Sequence, residues 1–426
     1  MKPGFYTIMA AQFFSSLADN ALFIAAIALL KADGAPDWQK AALVPIFALF
    51  YVMLAPFVGA FADSLPKGRV MLISNAIKVA GCLLMLFGTH PLMAYALVGL
   101  GAAAYSPAKY GILTELLPPS QLVKANGWIE GLTIASIILG VLLGGQLIHP
   151  HVAGFFLQLD FPFIDTGVDT PPEAAICLIG VVYALAAFIN RYIPDTGVTL
   201  RPMPRNILKL VPDFWYCNKL LWRDKLGQIS LSTTTLFWGV SGNLRYVVLA
   251  WAAAALGYSV TQASNLVGVV AIGTAVGAVI ASMRCRLDKA TNVMPLGVLM
   301  GVLVVGMVFV DTLWVAVPFL IVLGAIGGYM VVPMNALLQH RGHNLMGAGR
   351  SIAVQNFNEQ LAILLMGLSY SQATKAGASA LMAIVGFGVV VALTMLAISH
   401  WHKRNLRDHP KKLAELLEIA RNDKGH

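Results

Sequence analysis

The chain has 426 residues, of which 58% are hydrophobic and only 12% charged, about half the charge of an ordinary soluble domain. Single soluble cores stop growing near about 250–300 residues, so this much apolar chain excludes soluble, disordered and fibrous proteins. The net charge of +9 would suggest nucleic acid in a soluble chain, but here it fits the basic cytoplasmic loops of a polytopic membrane protein.

Apolar runs such as 70–89 and 377–399 are continuous. Helices crossing a hydrocarbon core of about 30 Å require this, whereas barrel strands alternate apolar and polar residues. In chain order the predicted spans are 5–30, 41–62, 70–89, 92–114, 123–148, 173–194, 227–256, 261–283, 291–310, 313–338, 348–373 and 377–400. The first has only Lys2 ahead of it, no small-residue cleavage site and Asp19 in its middle, so it reads as a span and not a signal peptide. The gaps alternate in character. One set holds Lys67, Arg69, Lys124, the run from Arg201 to Lys225, Arg284, Arg286, Lys289, Arg341 and the tail from Lys403 to Lys424. The other holds Lys31, Lys40 and Lys375 beside Asp33, Asp37, Asp160, Asp165 and Asp169. That asymmetry, and the even number of spans, put both termini in the cytoplasm. The 39 glycines suit close helix packing in lipid. Cys82, Cys177, Cys217 and Cys285 are scattered without ligand or redox spacing, so neither a metal nor another cofactor is expected.

The longest interior polar stretch, 195–226, separates a six-helix bundle at 1–194 from a second at 227–400, with a basic tail at 401–426. The stretch mixes basic residues with Phe214, Trp215, Tyr216 and Trp222, a composition suited to the anionic inner leaflet. In the tail, Leu413, Leu416, Leu417 and Ala420 recur at helical spacing, predicting a short amphipathic helix. The halves echo one another: ADNAL at 18–22 against GNLR at 242–245, Pro107 with Lys109 against Pro333 with Asn335, and Asn126 with Glu130 against Gln355 with Glu359. Each of the last two pairs is four apart and so shares a helix face. The expected fold is therefore all-α and integral to the membrane: twelve helices in two six-helix bundles related by a pseudo-two-fold axis, the major facilitator arrangement.

A charge at mid-bilayer costs at least about 2.5–3.5 kcal/mol and marks a candidate functional site. Asp19 and Arg245 lie at similar depths in spans one and seven, and pairing them would offset both desolvation costs and could form a gate. Lys109 sits beside Pro107, Tyr105 and Tyr110 on a loosened helix, where it either meets a phosphate as a point charge or snorkels to the surface. Lys78 in span three reads as snorkelling or paired. Glu130 and Glu359, with Asn126, Gln355, Asn356 and Asn358 around them, could bind a cationic head group, relay protons or bridge helices. Gln12, Asn20 and Asn335 complete the polar candidates. In the first cytoplasmic hairpin, GAFADSLPKGR, Gly59 allows close packing, Asp63 can cap a helix N-terminus, and Lys67 and Arg69 can pair with acids. It resembles the loop signature G-x-x-x-D-x-x-G-R with a longer gap, Gly68 falling five after Asp63. The matching hairpin keeps Gly277 and its basic residues but has Ala281 in place of the acid, which predicts a one-sided conformational latch.

On these residues, and on the strings AQFFSSLADNAL, APFVGAFADSLPKGRVM, GAAAYSPAKYGIL, LVKANG, LFWG, VVPMNALLQ and IAVQN, the chain resembles the lysophospholipid transporter family of the major facilitator superfamily over most of 8–400. The departures are the polar segment at about 155–172 and the tail after 401. The resemblance implies flipping of lysophosphatidylethanolamine and related lysolipids from the outer to the inner leaflet of a bacterial inner membrane. It also implies a cytoplasmic acyltransferase/acyl-carrier-protein synthetase as functional partner, with Asp19, Lys109 and Arg245 as head-group and gating charges. The rival on the same fold is a proton-coupled exporter of amphipathic drugs or metabolites, with Asp19 or Glu359 carrying the proton. An enzyme is not expected: H-x-x-x-x-D, G-x-S-x-G, H-E-x-x-H and P-loop motifs are missing from the sequence, and nothing specific points to nucleic acid.

Overall fold

The computed structural model describes residues 3–35, 37–157, 168–258 and 260–422. Asp160, Asp165 and most of the 155–172 segment lie outside these. Among the described residues the chain is helical and has no strand. The first half contains α1 (Pro3–Ala32), α2 (Asp37–Met53), α3 (Ala55–Ser64), α4 (Lys67–Leu86), α5 (Pro91–Leu116), α6 (Pro119–Leu147), the short α7 (Pro150–Leu157) and α8 (Pro171–Asn190). The polar linker holds α9 (Leu210–Arg223). The second half contains α10 (Gly227–Leu256), α11 (Val260–Arg284), α12 (Met294–Gly306), α13 (Leu313–Met346), α14 (Ala348–Lys375) and α15 (Ala380–Asp408), and the tail forms α16 (Pro410–Asn422).

All twelve expected spans have a helical counterpart, with α2 and α3 together forming the second. Among the described residues, eight helices are long and apolar enough to cross a membrane, or nine if the bent pair counts as one span. Spans four, seven and eleven are the long helices α5, α10 and α14, of 26, 30 and 28 residues. Span two, read as continuous, bends by 68° between Met53 and Ala55. Pro56 supplies the reason: in a continuous helix it would have no N–H for the Val52 carbonyl and its ring would clash with that group, so the chain breaks at Leu54 and Pro56 falls in the first turn of α3. The segment before α8 is set by Glu173, whose carboxylate accepts the backbone N–H groups of Thr170 (2.8 Å) and Asp169 (3.0 Å), while Pro171 opens the helix with no N–H to leave unpaired.

The chain forms two compact units. The first comprises 1–112, 135–214 and 348–353; the second comprises 113–134, 215–347 and 354–426. In the first, α1, α4, α5 and α8 bury Ala18, Leu22, Ala25, Tyr95, Val98, Ile176, Ile179 and Tyr183 together. In the second, α11 and α13 pack backbone against backbone. A Cβ at Gly273, Gly277, Gly324 or Gly328 would collide with the facing carbonyl oxygen of Ile321, Ala325, Val270 or Thr274 respectively. Each helix thus presents a pair of glycines four apart, the small-xxx-small device that lets helices approach in lipid, where no hydrophobic force separates lipid-facing from helix-facing surface.

Candidate substrate-transport site

In the first unit, α1 carries Asp19 and Ser15, α4 carries Lys78 and Asn75, and α8 carries Tyr183. Lys78 Nζ donates to both carboxylate oxygens of Asp19, at 2.8 and 2.9 Å, and to Ser15 Oγ at 3.0 Å. Tyr183 Oη donates to Asp19 Oδ1 at 2.6 Å, and Ser15 Oγ donates to Asn75 Oδ1 at 2.7 Å. The ammonium also lies over the rings of Tyr105 and Tyr183, 5.0 and 5.4 Å from their centroids, where each ring face is worth about 0.5–2 kcal/mol to a desolvated cation. The Lys78 side chain is 1% exposed and that of Asp19 22%. Gly101 makes the room, since a Cβ there would press on the Lys78 stem and on the Ser74 carbonyl. A lysine this deep is tolerable only because every hydrogen of its ammonium has an acceptor or a ring.

Asp19 therefore holds Lys78 as its cation. The pairing expected with Arg245 falls on a side chain outside the described residues; only its backbone, within α10, is described. Lys109 stands half-buried on α5 with its ammonium 4.3 Å from the Tyr110 centroid. Asn20 turns back to the Ser16 carbonyl of its own helix at 2.8 Å and stays outside the Asp19 cluster.

The hairpin residues meet the start of α14, which belongs to the same unit. Asp63 accepts the backbone N–H of Gly349 at 2.7 Å and of Arg350 at 3.1 Å, so it caps the N-terminus of a helix far along the chain. Its carboxylate also takes Lys67 Nζ at 3.0 Å and Arg350 Nη1 at 3.4 Å. Arg350 bridges on to Asp213 at 3.0 Å. Gly59 earns its place by contact: a Cβ there would crowd Ala353 and the Arg350 backbone. Gly68 sits against Ile193 and the Asn190 carbonyl, while Arg69 is exposed.

In the second unit, the first half of α6 joins α13 and α14. Asn126 and Gln339 exchange two amide hydrogen bonds of 2.9 Å each. Gln355 donates to Asn335 Oδ1 at 3.0 Å and to Glu359 Oε1 at 2.8 Å. Glu130 is buried close enough to act electrostatically on Glu359, and Asn356 is half-buried beside Gln355. Two acids and four amides thus share a buried polar cluster, while the expected Asn335, Gln355, Glu130 and Glu359 fall within it. Tyr183 and Gln339 were not among the candidates, and Lys78 was read only as snorkelling or paired, of which the structure shows the pairing. For Lys78 a signal existed, a charge in the middle of an apolar span; for Tyr183 and Gln339 none did.

A family profile described as the Major Facilitator Superfamily matches residues 8–367. Two curated proteins named "Lysophospholipid transporter LplT" match along nearly the whole length. That of Enterobacter sp. (strain 638) is 41% identical over 402 residues, covering 94% of this chain and 96% of that protein. That of Photorhabdus laumondii subsp. laumondii is 39% identical over 401 residues, covering 94% and 96%. The chain belongs to the lysophospholipid transporter family of the major facilitator superfamily. Among solved structures, the human organic anion transporter MFSD10 (TETRAN) superposes with a TM-score of 0.73 at 14% identity, covering 93% of this chain and 100% of that one. The E. coli fucose:proton symporter FucP gives 0.71 at 12%, covering 93% and 98%. At such identities these two superpositions establish the fold alone. As a superfamily member the chain is a multi-pass membrane transporter and not an enzyme.

Proposed function

We propose that this protein flips lysophospholipids, chiefly lysophosphatidylethanolamine and related lyso forms, from the outer to the inner leaflet of a bacterial inner membrane by alternating access, with both termini cytoplasmic. The single observation that carries the reading is the match, at about 40% identity along 94% of the chain, to proteins named lysophospholipid transporters. The internal chemistry supports it. A zwitterionic head group needs a cation for its phosphate and an acid for its ammonium, and the chain keeps a few charges of each sign on otherwise apolar helices. Asp19 is assigned the ammonium, for which the substrate competes with Lys78. Lys109 and Arg245 are assigned the phosphate, and Glu130 or Glu359 contributes to the ammonium at another stage of the cycle. Asn20, Tyr105, Asn335, Gln355 and Asn356 are assigned polar supporting roles, and Gly59, Asp63, Lys67, Gly68 and Arg69 form a conformational latch. A single acyl chain requires an apolar lateral route, and delivery to the inner leaflet suits re-acylation by an acyltransferase/acyl-carrier-protein synthetase on the cytoplasmic side. Arg245→Ala, at normal expression in acyltransferase-containing spheroplasts, is expected to lower lysolipid uptake at least tenfold; unchanged uptake removes Arg245 from the assignment.

A further inference from the structure

α9 presents two unlike faces. Leu210, Phe214, Cys217 and Leu221, spaced three and four residues apart, are buried. On other turns Trp215 and Tyr216 stand 52% and 65% exposed, with Lys219 and Arg223 exposed four residues on from Trp215 and again from Lys219. The turn leading into the helix exposes Arg205, Ile207, Leu208 and Lys209, Leu208 at 73%. The acids of 201–225 are Asp213 and Asp224, and both are engaged elsewhere. Asp213 holds Arg350, while Asp224 takes Arg341 through both oxygens, at 2.7 and 3.1 Å, and caps the N–H groups of Leu226 and Gly227. What remains outward is cationic and aromatic. α9 ends at Arg223 and α10 begins at Gly227, so this face is tethered at the edge of a membrane span. Trp215 is braced edge-to-face on Phe357, 5.5 Å between centroids, which fixes the orientation of the ring.

We propose that the exposed face of α9 is a binding surface for anionic phospholipid head groups of the leaflet it borders. Indole and phenol rings settle at head-group depth, and each lysine or arginine near an anionic surface multiplies affinity about fivefold. The tether at a span end, rather than on a free domain, favours a bilayer over nucleic acid or a protein as the occupant.

The test uses the full chain with benzoylphenylalanine in place of Tyr216, or at the exposed Leu393 on α15 as a comparison. Each is irradiated in nanodiscs of phosphatidylcholine and phosphatidylglycerol at three to one, and again in native membranes. The expected result is phosphatidylglycerol captured at position 216 at least threefold above its mole fraction, against mole-fraction capture at 393. Lys219→Gln with Arg223→Gln brings capture at 216 down to mole fraction, whereas Lys219→Arg retains the enrichment. Mole-fraction capture at 216 in the parent, no lipid adduct there while 393 labels, or a protein adduct at 216 in native membranes would each overturn the proposal.

Discussion

At the scale of single residues, a few charges are placed where lipid forbids them. Asp19 shows how far the sequence reaches: its depth in an apolar span marks it, but its partner is not legible from the chain. Lys78 is 59 residues away on another helix, and no local spacing links the two. Only the packing of α1, α4 and α8 brings the two together. Removing one member of a buried pair costs about 3–5 kcal/mol, and the partial exposure of Asp19 puts this pair at the lower end. Lys78→Met is therefore expected to lower the unfolding midpoint in detergent by an amount corresponding to about 3 kcal/mol. Adding Asp19→Asn to that variant is expected to recover most of the loss, because no uncompensated charge is left, while transport stays abolished. A double variant as unstable as the single one would show that the two charges are not coupled.

At the scale of elements, continuous hydropathy located the spans but not their breaks. The bend at Leu54 was written in Pro56, and the reading of 41–62 as one span passed over it. The tail illustrates the opposite case. Its apolar spacing predicted α16, yet nothing in the sequence says what the apolar face covers. It packs on α15 and on the 3₁₀ turn Leu287–Val293, with Leu413, Leu416 and Ala420 buried. Arg421 reaches Asp288 at 3.5 Å from a side chain 60% exposed. Exposed ion pairs contribute about 0–1 kcal/mol, whereas a buried Leu→Ala costs about 2–5 kcal/mol. Hydrogen exchange of the α16 amides is expected to speed up at least about thirtyfold in Leu413→Ala and no more than about fivefold in Arg421→Ala. The reverse order would mean that charge, not burial, docks the tail.

At the scale of the whole molecule, the repeat echoes in the sequence made the twelve-helix fold legible, and superposition on superfamily structures agrees with it. Less legible was the division into units, in which the first half of α6 and the first turns of α14 group with the opposite half of the sequence. Asp63 shows why: its spacing in the hairpin foretold a helix cap, but the helix it caps begins 285 residues later at Ala348, and no local pattern could name it. Charge-assisted hydrogen bonds of this kind contribute about 1.5–3 kcal/mol each, enough to bias a conformational equilibrium by about tenfold or more. Asp63→Asn is expected to slow turnover about tenfold with lysolipid KM changed less than about threefold. A large KM change with unaltered turnover would place Asp63 in substrate binding instead of conformational control.

The most direct test of the transport assignment is flipping of labelled lysophosphatidylethanolamine by the purified protein in proteoliposomes, with and without a proton gradient. Lysophosphatidylglycerol and a simple cationic drug serve as competitors. The account predicts flipping that persists when the gradient is dissipated and that lysophosphatidylglycerol, but not the drug, inhibits. No flipping, or inhibition by the drug alone, would contradict it and favour an exporter on the same fold.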